Sequence, residues 1–169
     1  MLNRWVAAIV LAASSLAPTH AVEWSGVVVG VADGDTLTLL DNHQTQRRIR
    51  LDGIDAPERK QPFGQRSRQS LTELAKGRRA TADCPKTDRY GRAVCRVRID
   101  GVDVGLAQLE RGLAWHYLKY AHELDPPLRV RYERAEREAR TGRAGLWSQP
   151  QPMPPWDYRH PSRDAERAG

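Results

Sequence analysis

The stretch Arg50-Leu-Asp-Gly-Ile-Asp55-Ala-Pro-Glu58 puts a guanidinium, a carboxylate suited to a metal and a second carboxylate within nine residues. Pro57 fixes its own φ near about −65° and pushes Ala56 toward extended geometry, so the end of this turn is expected to be stiff. Stiff loops at strand ends commonly present catalytic groups. Two more segments carry matching residue types: Asp33-Gly34-Asp35-Thr36 upstream and Asp88-Arg89-Tyr90-Gly91-Arg92 downstream. A phosphodiester is shielded by its own negative charge. Cleaving it takes charge neutralisation, an aligned water and stabilisation of extra charge on oxygen. Acidic clusters with two separated arginines suit a metal-assisted attack on phosphate.

Singly, each piece has a plainer explanation. Asp33-Gly34-Asp35 is ordinary turn chemistry. Arg50 stands beside Arg47 and Arg48 as a strand-surface charge would, and Glu58 fits a solvated glutamate after a proline turn. An EF-hand does not fit, because counting from Asp33 its glycine position is Thr38 and its glutamate position is Gln44. Asp35 and Asp55 are the best carboxylate candidates, each beside a glycine-containing turn at a strand end. Asp33 and Asp52 are left as supporting or turn residues. Arg50 and Arg92 are candidate clamps, since arginine presents a planar fork of donors and stays protonated.

These residues need elements to hold them. Val27–Val31 reads as a buried strand with a glycine bend, Thr36–Leu40 alternates like a strand, and Thr45–Leu51 returns after a turn at Asp41–Gln44. Phe63–Lys76 changes to helical period and stops at Gly77. Arg79–Cys84 and Ala93–Ile99 form a second hairpin around Asp88–Arg92. Val104–Arg111 is a short helix closed by Gly112, and a longer one runs from Asp125 or Pro126 to Thr141. Gly145–Trp147 is expected to dock on the core. Five early strands and later helices make an α+β pattern consistent with a five-stranded Greek-key barrel, a class whose loops suit oligonucleotides.

Together the three segments, in this order and spacing, resemble the thermonuclease (staphylococcal nuclease-like) family, over roughly Val27 to Trp147. The resemblance implies an OB-fold β-barrel with about three helices. It also implies calcium-dependent hydrolysis of DNA and/or RNA phosphodiesters with little sequence specificity. By the same resemblance Asp35 and Asp55 are Ca2+ ligands, joined by the backbone carbonyl of Ala56, where the best-known member has threonine. Arg50 and Arg92 would clamp the transition state. Glu58 matches the proposed general base, with an electrostatic and orienting role as the other reading. The Asp-Arg-Tyr-Gly-Arg turn is kept from Asp88 to Arg92, while Cys95 replaces a small glycine or alanine. Of the aromatics Trp115, Tyr117 and Tyr120, only Tyr120 carries over as a substrate contact, because Leu118 stands where its companion would fall. The alternative function is a catalytically inactive OB-fold module that binds nucleic acid. Retention of Asp35, Arg50, Asp55, Glu58 and Arg92 together argues against it.

The chain has 169 residues, enough for one domain with a modest core, and its 27 Lys and Arg against 21 Asp and Glu give a net charge of +6. A basic balance favours a polyanionic partner. In residues 1–21, Arg4 is the only charge, followed by the apolar run Val6–Ala13 and by Thr19-His20-Ala21. That is a secretory signal pattern, too short for a membrane span. The expected division is a leader at 1–21, a nuclease-like domain at 22–148 and a proline- and charge-rich tail at 149–169 with no core of its own. Export to the periplasm or the medium follows, as a monomer with no membrane contact after cleavage. Two cysteines, Cys84 and Cys95, flank the second hairpin's turn. In an oxidising compartment a disulfide is favoured, the other reading being two separate small apolar side chains. Asp35 and Asp55 are expected at the surface, where their removal would leave the fold intact.

Overall fold

The computed structural model describes residues 22–160, so the expected leader lies outside them. In chain order the strands are β1 (Val22–Val31), β2 (Thr36–Asp41), β3 (Gln46–Leu51), β4 (Ile54–Asp55), β5 (Arg79–Thr87), β6 (Ala93–Ile99), β7 (Val102–Asp103) and β8 (Trp115–His116). The α-helices are α1 (Gly64–Ala75), α2 (Val104–Glu110), α3 (Pro126–Thr141) and α4 (Pro155–Arg159), with 3-10 turns at Leu118–Glu123 and Gly145–Ser148. The expected strands and helices are all present, with ends shifted by a few residues.

Long β1 is the hinge of the barrel. Its second half pairs antiparallel with β2 and its first half with β5, and its register shifts between Val28 and Gly30. Such an irregularity bends a strand and raises its twist, which lets one strand serve two sides of a closed sheet. The order β3-β2-β1-β5-β6 then closes on itself through a parallel pairing of β3 with β6, Ile49 opposite Ala93 and Leu51 opposite Cys95. The result is a closed five-stranded barrel. Alternating side chains fill it: Val28, Leu37, Leu39, Ile49, Leu51, Ala82 and Val97 are buried. Burying a Val, Leu or Ile side chain stabilises by roughly 1.5–3 kcal/mol.

Polar side chains fasten the helices to this barrel. Asp103 accepts from the Leu106 N–H as the N-cap of α2, from Arg96 on β6 at 2.7 Å and from the Tyr132 hydroxyl on α3 at 3.0 Å. Leu128, Tyr132, Ala135 and Ala139 form the buried face of α3, as its period predicts. Gln108 of α2 donates to the carbonyls of Gly34 and Ser67 and accepts from Ser70 of α1. Cys84 and Cys95 are joined by a disulfide across β5 and β6.

The described part of the expected tail, residues 149–160, is packed: in α4, Trp156 lies on a satellite cluster of Trp115, Trp147, Ala139 and Leu146. Its ring stacks on Tyr117 at 5.6 Å and meets Trp115 edge-on at 5.7 Å. Gln61 also donates to the Met153 carbonyl.

Candidate active site

The β1–β2 turn delivers the first carboxylate. The Asp35 N–H donates to Asp33 Oδ1 at 3.1 Å, an Asx-type closure, and the Asp35 carbonyl accepts from the Leu51 N–H at 2.8 Å. Gly34 must be glycine here: a Cβ would lie 1.8 Å from Ser67 Oγ and 2.8 Å from the Ala56 Cβ. The turn is thereby pressed against α1 and against the Ala56 segment. The Asp35 carboxylate accepts from Thr36 Oγ1 at 2.8 Å and from the Ala56 N–H at 3.1 Å, and it is only 5% exposed.

The second carboxylate, Asp55, sits on β4, which pairs with β8 through Ile54–His116 and Asp55–Trp115. Arg50, at the end of β3, bridges the two aspartates. It donates to Asp55 Oδ1 at 2.8 Å and to the Ile54 carbonyl at 3.1 Å, with its Nη2 3.4 Å from Asp35 Oδ2. Asp55 is fully buried. Burial pushes its carboxyl above the ordinary value, bonds from Arg159 pull the other way, and neighbouring Asp35 adds to the rise. Burial likewise pushes Asp33 up to about 6, helped by Asp35. For Asp35 burial acts upward too, yet Arg50 and the bonds from Ala56 and Thr36 outweigh it and hold the carboxyl below the usual range. The expectation of surface carboxylates is therefore corrected: both are interior groups, Asp35 favoured in its charged form by Arg50, Thr36 and the Ala56 N–H, and Asp55 paired with the guanidinium groups of Arg50 and Arg159.

Arg92 arrives from the other side. Asp88 accepts from the backbone N–H groups of Tyr90 and Arg92 and from Arg92 Nε at 2.7 Å, so one carboxylate both folds the turn and aims its arginine. Arg92 Nη1 then donates to Thr36 Oγ1 at 3.3 Å. Thr36, whose hydroxyl also donates to Asp35, joins the two arms of the site. Glu58 follows the Pro57 turn. Its N–H is held by Gln61 and its carboxylate accepts from Arg159 Nη1 at 2.8 Å. Ala56 lies with its N–H on Asp35, which brings its backbone to the same acidic floor.

Asp35, Arg50, Asp55, Ala56, Glu58 and Arg92 line one cavity of about 680 Å³. Arg48, Lys86, Arg89 and Lys119 add positive charge around its rim. Tyr120 lines it, half-exposed, with Lys86 4.8 Å over its ring and Tyr117 5.4 Å away. A concave floor of carboxylates and arginines under a cationic rim suits a phosphate backbone.

Two residues were missed by the sequence reading. Thr36 was read as part of the Asp33–Thr36 segment and as the start of a strand, with no role of its own assigned to its hydroxyl. Arg159 donates to Asp55 Oδ2 at 2.6 Å and to Asp55 Oδ1 at 3.2 Å, from 104 residues away. The Pro-Pro-Trp signature of residues 154–156 was the available hint, since a tryptophan in a proline-rich stretch needs somewhere to be buried.

The donor set suits a hard divalent cation: Asp35 and Asp55 present carboxylate oxygens side by side, with backbone of Ala56 adjoining. Among the described residues no group of three His, Cys, Asp or Glu side chains is placed to hold a metal ion. Two carboxylates would thus be completed by a backbone carbonyl and water.

The family model described as staphylococcal nuclease homologue matches residues 48–149. That span takes in Arg50, Asp55, Glu58, Arg92 and Tyr120 but neither Asp35 nor Arg159. The protein named ParB from Escherichia coli is 37% identical over 172 residues, covering 96% of this chain and 94% of its own. A protein named as an uncharacterized endonuclease in Escherichia coli O157:H7 is 40% identical over 144 residues, with 85% and 90% covered. The micrococcal nuclease of Shigella flexneri is 38% identical over 152 residues, with 85% and 84% covered.

Proposed function

The chain belongs to the staphylococcal nuclease homologue family and is a phosphodiester-cleaving endonuclease; from that premise we propose that it is an exported, calcium-dependent enzyme acting on DNA and RNA with little sequence specificity. Nuclease-named relatives and a metal-dependent family stand behind the coarser statement. One observation carries the finer reading: an unbroken polar chain from Arg92 through Thr36 to Asp35, Arg50 and Asp55, at the bottom of a cationic cavity.

In this reading Asp35, Asp55 and the Ala56 carbonyl hold calcium. When bound, the ion supplies charge neutralisation to the scissile phosphate and a Lewis-acid contact to one of its oxygens. Arg50 and Arg92 approach that phosphate from opposite sides and donate to its oxygens, most strongly where charge builds up. Glu58 stands at the cavity edge, positioned by Gln61, to orient an attacking water and take up its proton. Tyr120 lies where a nucleotide would pass. The rim cations meet phosphates, which are alike in every sequence, so little base discrimination is expected. Export is supported by the leader pattern in residues 1–21 and by the disulfide, which suits an oxidising compartment. A monomer suffices, because one chain supplies every group of the site.

The test is release of acid-soluble nucleotides from duplex DNA, single-stranded DNA and RNA, with calcium and with a chelator. Cleavage of all three that stops on chelation is expected. Activity unaffected by chelator would remove the metal assignment, and binding without cleavage would support the nucleic-acid-binding module instead.

A further inference from the structure

We infer that Arg159, carried by the C-terminal helix α4, occupies the acidic floor in place of the metal ion, so that the cation and this arginine compete for Asp55. The inference rests on the metal reading given above and adds a residue to that site. Its ground is the partner list of Asp55. Oδ2 accepts from Arg159 Nη2 at 2.6 Å, and Oδ1 accepts from both Arg50 at 2.8 Å and Arg159 at 3.2 Å. A buried carboxylate with both oxygens engaged by guanidinium forks has no free face for a divalent ion. The two positive charges would also repel strongly in so dry a place.

One of the two arginines has to yield. Arg50 is built into β3, with the Ile54 carbonyl and two aspartates as partners. Arg159 ends a five-residue helix whose attachments are side-chain ones: Trp156 stacked on Tyr117 and packed on the Trp115–Trp147 cluster, and the Gln61 bond to the Met153 carbonyl. No strand pairing holds this segment, so it can leave without opening the barrel. While in place it does more than cover Asp55. Arg159 Nη1 also takes the Glu58 carboxylate at 2.8 Å, and Trp156 covers one face of Tyr117, which lines the cavity. One segment therefore holds a metal ligand, the candidate base and an aromatic wall at once. Calcium arriving at Asp55 releases all three together.

When the binding-competent state is a fraction of the population, apparent affinity falls by that fraction. If the closed form makes up about 90–99% of the metal-free protein, freeing the segment tightens calcium binding by about ten- to a hundred-fold. The experiment is calcium titration by calorimetry on the full chain and on two full-length variants, Arg159→Gln and Trp156→Ala. The second keeps every charge and removes only the anchor. Hydrogen exchange of residues 153–159 is followed in the parent with and without calcium. Tighter calcium binding in both variants, with faster exchange of the segment when calcium is added to the parent, is the expected result. Tighter binding in Arg159→Gln alone would reduce the effect to a lost positive charge and overturn the inference. So would an exchange rate that calcium leaves unchanged. Calcium binding by none of the three proteins would remove the metal assignment itself, and the inference with it.

Discussion

The two arginines of the site are held in opposite ways. Arg50 is wedged between two interior aspartates and a backbone carbonyl, so its charge belongs to the barrel's internal electrostatics. Burial works against that charge, and Asp35 and Asp55 more than restore it. Arg92 stands on an exposed turn that Asp88 folds from within, beside Tyr90, which is 68% exposed. Its link to the rest of the site is a single bond to Thr36 at 3.3 Å. The same side chain, proposed for the same phosphate, is on one side part of what keeps the protein folded and on the other almost free of that duty. Function and stability are therefore fused at Arg50 and separable at Arg92.

The largest expected effect comes from breaking the fused side. Arg50→Met leaves Asp35 buried without its guanidinium, and stripping one partner from a buried ion pair typically costs about 3–5 kcal/mol. Urea unfolding of the metal-free protein at neutral pH measures it; a loss below about 1 kcal/mol would mean that Arg50 is no more structural than Arg92.

Arg92→Lys probes the separable side. It keeps the charge and loses the fork, so turnover should fall on the order of 10²–10³-fold. Stability should change by less than about 1 kcal/mol, as for a partly exposed pair. Single-turnover cleavage of an oligonucleotide, with affinity measured apart, separates the steps. Weaker binding with parental cleavage at saturation would make Arg92 a binding contact.

Next comes the tie that compensates the looser arm. The Cys84–Cys95 disulfide closes the loop containing Asp88–Arg92, with a sequence separation of 11. Closing a loop of this size is worth roughly 2–3 kcal/mol in the chain-entropy model. The paired Cys84→Ala, Cys95→Ala variant should lose about that much in urea. Intact mass under non-reducing alkylation checks that the bond forms in protein recovered from an oxidising compartment.

The smallest effect sharpens the buried side through pH. His116 pairs β8 to the strand bearing Asp55, and both its ring nitrogens are buried without a hydrogen-bond partner. Burial lowers its pKa, with Glu136 and Glu133 pulling it up and Arg129 down. The unfolded chain, with histidine near about 6.5, then binds the proton first. Its contribution to stability is flat above that pH and is lost as pH falls toward the lowered folded value, by at most about 1.4 kcal/mol per pH unit. His116→Leu should flatten that part of an acid titration of Tm. An unchanged slope would show that other groups set it.

How legible each arm was follows from the range of its contacts. The Asp88–Arg92 turn could be read directly, because its hydrogen bonds join residues two to four apart. The Asp33–Asp35 turn was readable for the same reason. The five barrel strands were visible from apolar runs and alternation, except the first half of β1, where Glu23 and Ser25 give no apolar signal and pairing with β5 supplies the order; the two-residue strands β4, β7 and β8 were not. The burial of Asp35 and Asp55 was not visible, since it depends on β4 meeting β8 some sixty residues later. Least visible was Arg159, whose place depends on an aromatic cluster gathered from three separate segments.

The parallel seam between β3 and β6 carries a consequence for the order of events. Arg50 lies opposite Val94 in it, two residues past Arg92, so the seam is where the two arms of the proposed site are brought together. Strands so far apart in sequence meet only after the loop between them has been closed, which is the slow, entropically costly class of contact. A chain with its hairpins formed and its barrel still open would have every catalytic side chain and no active site. Nuclease activity thus reports completed topology, and a partly folded molecule does no cutting.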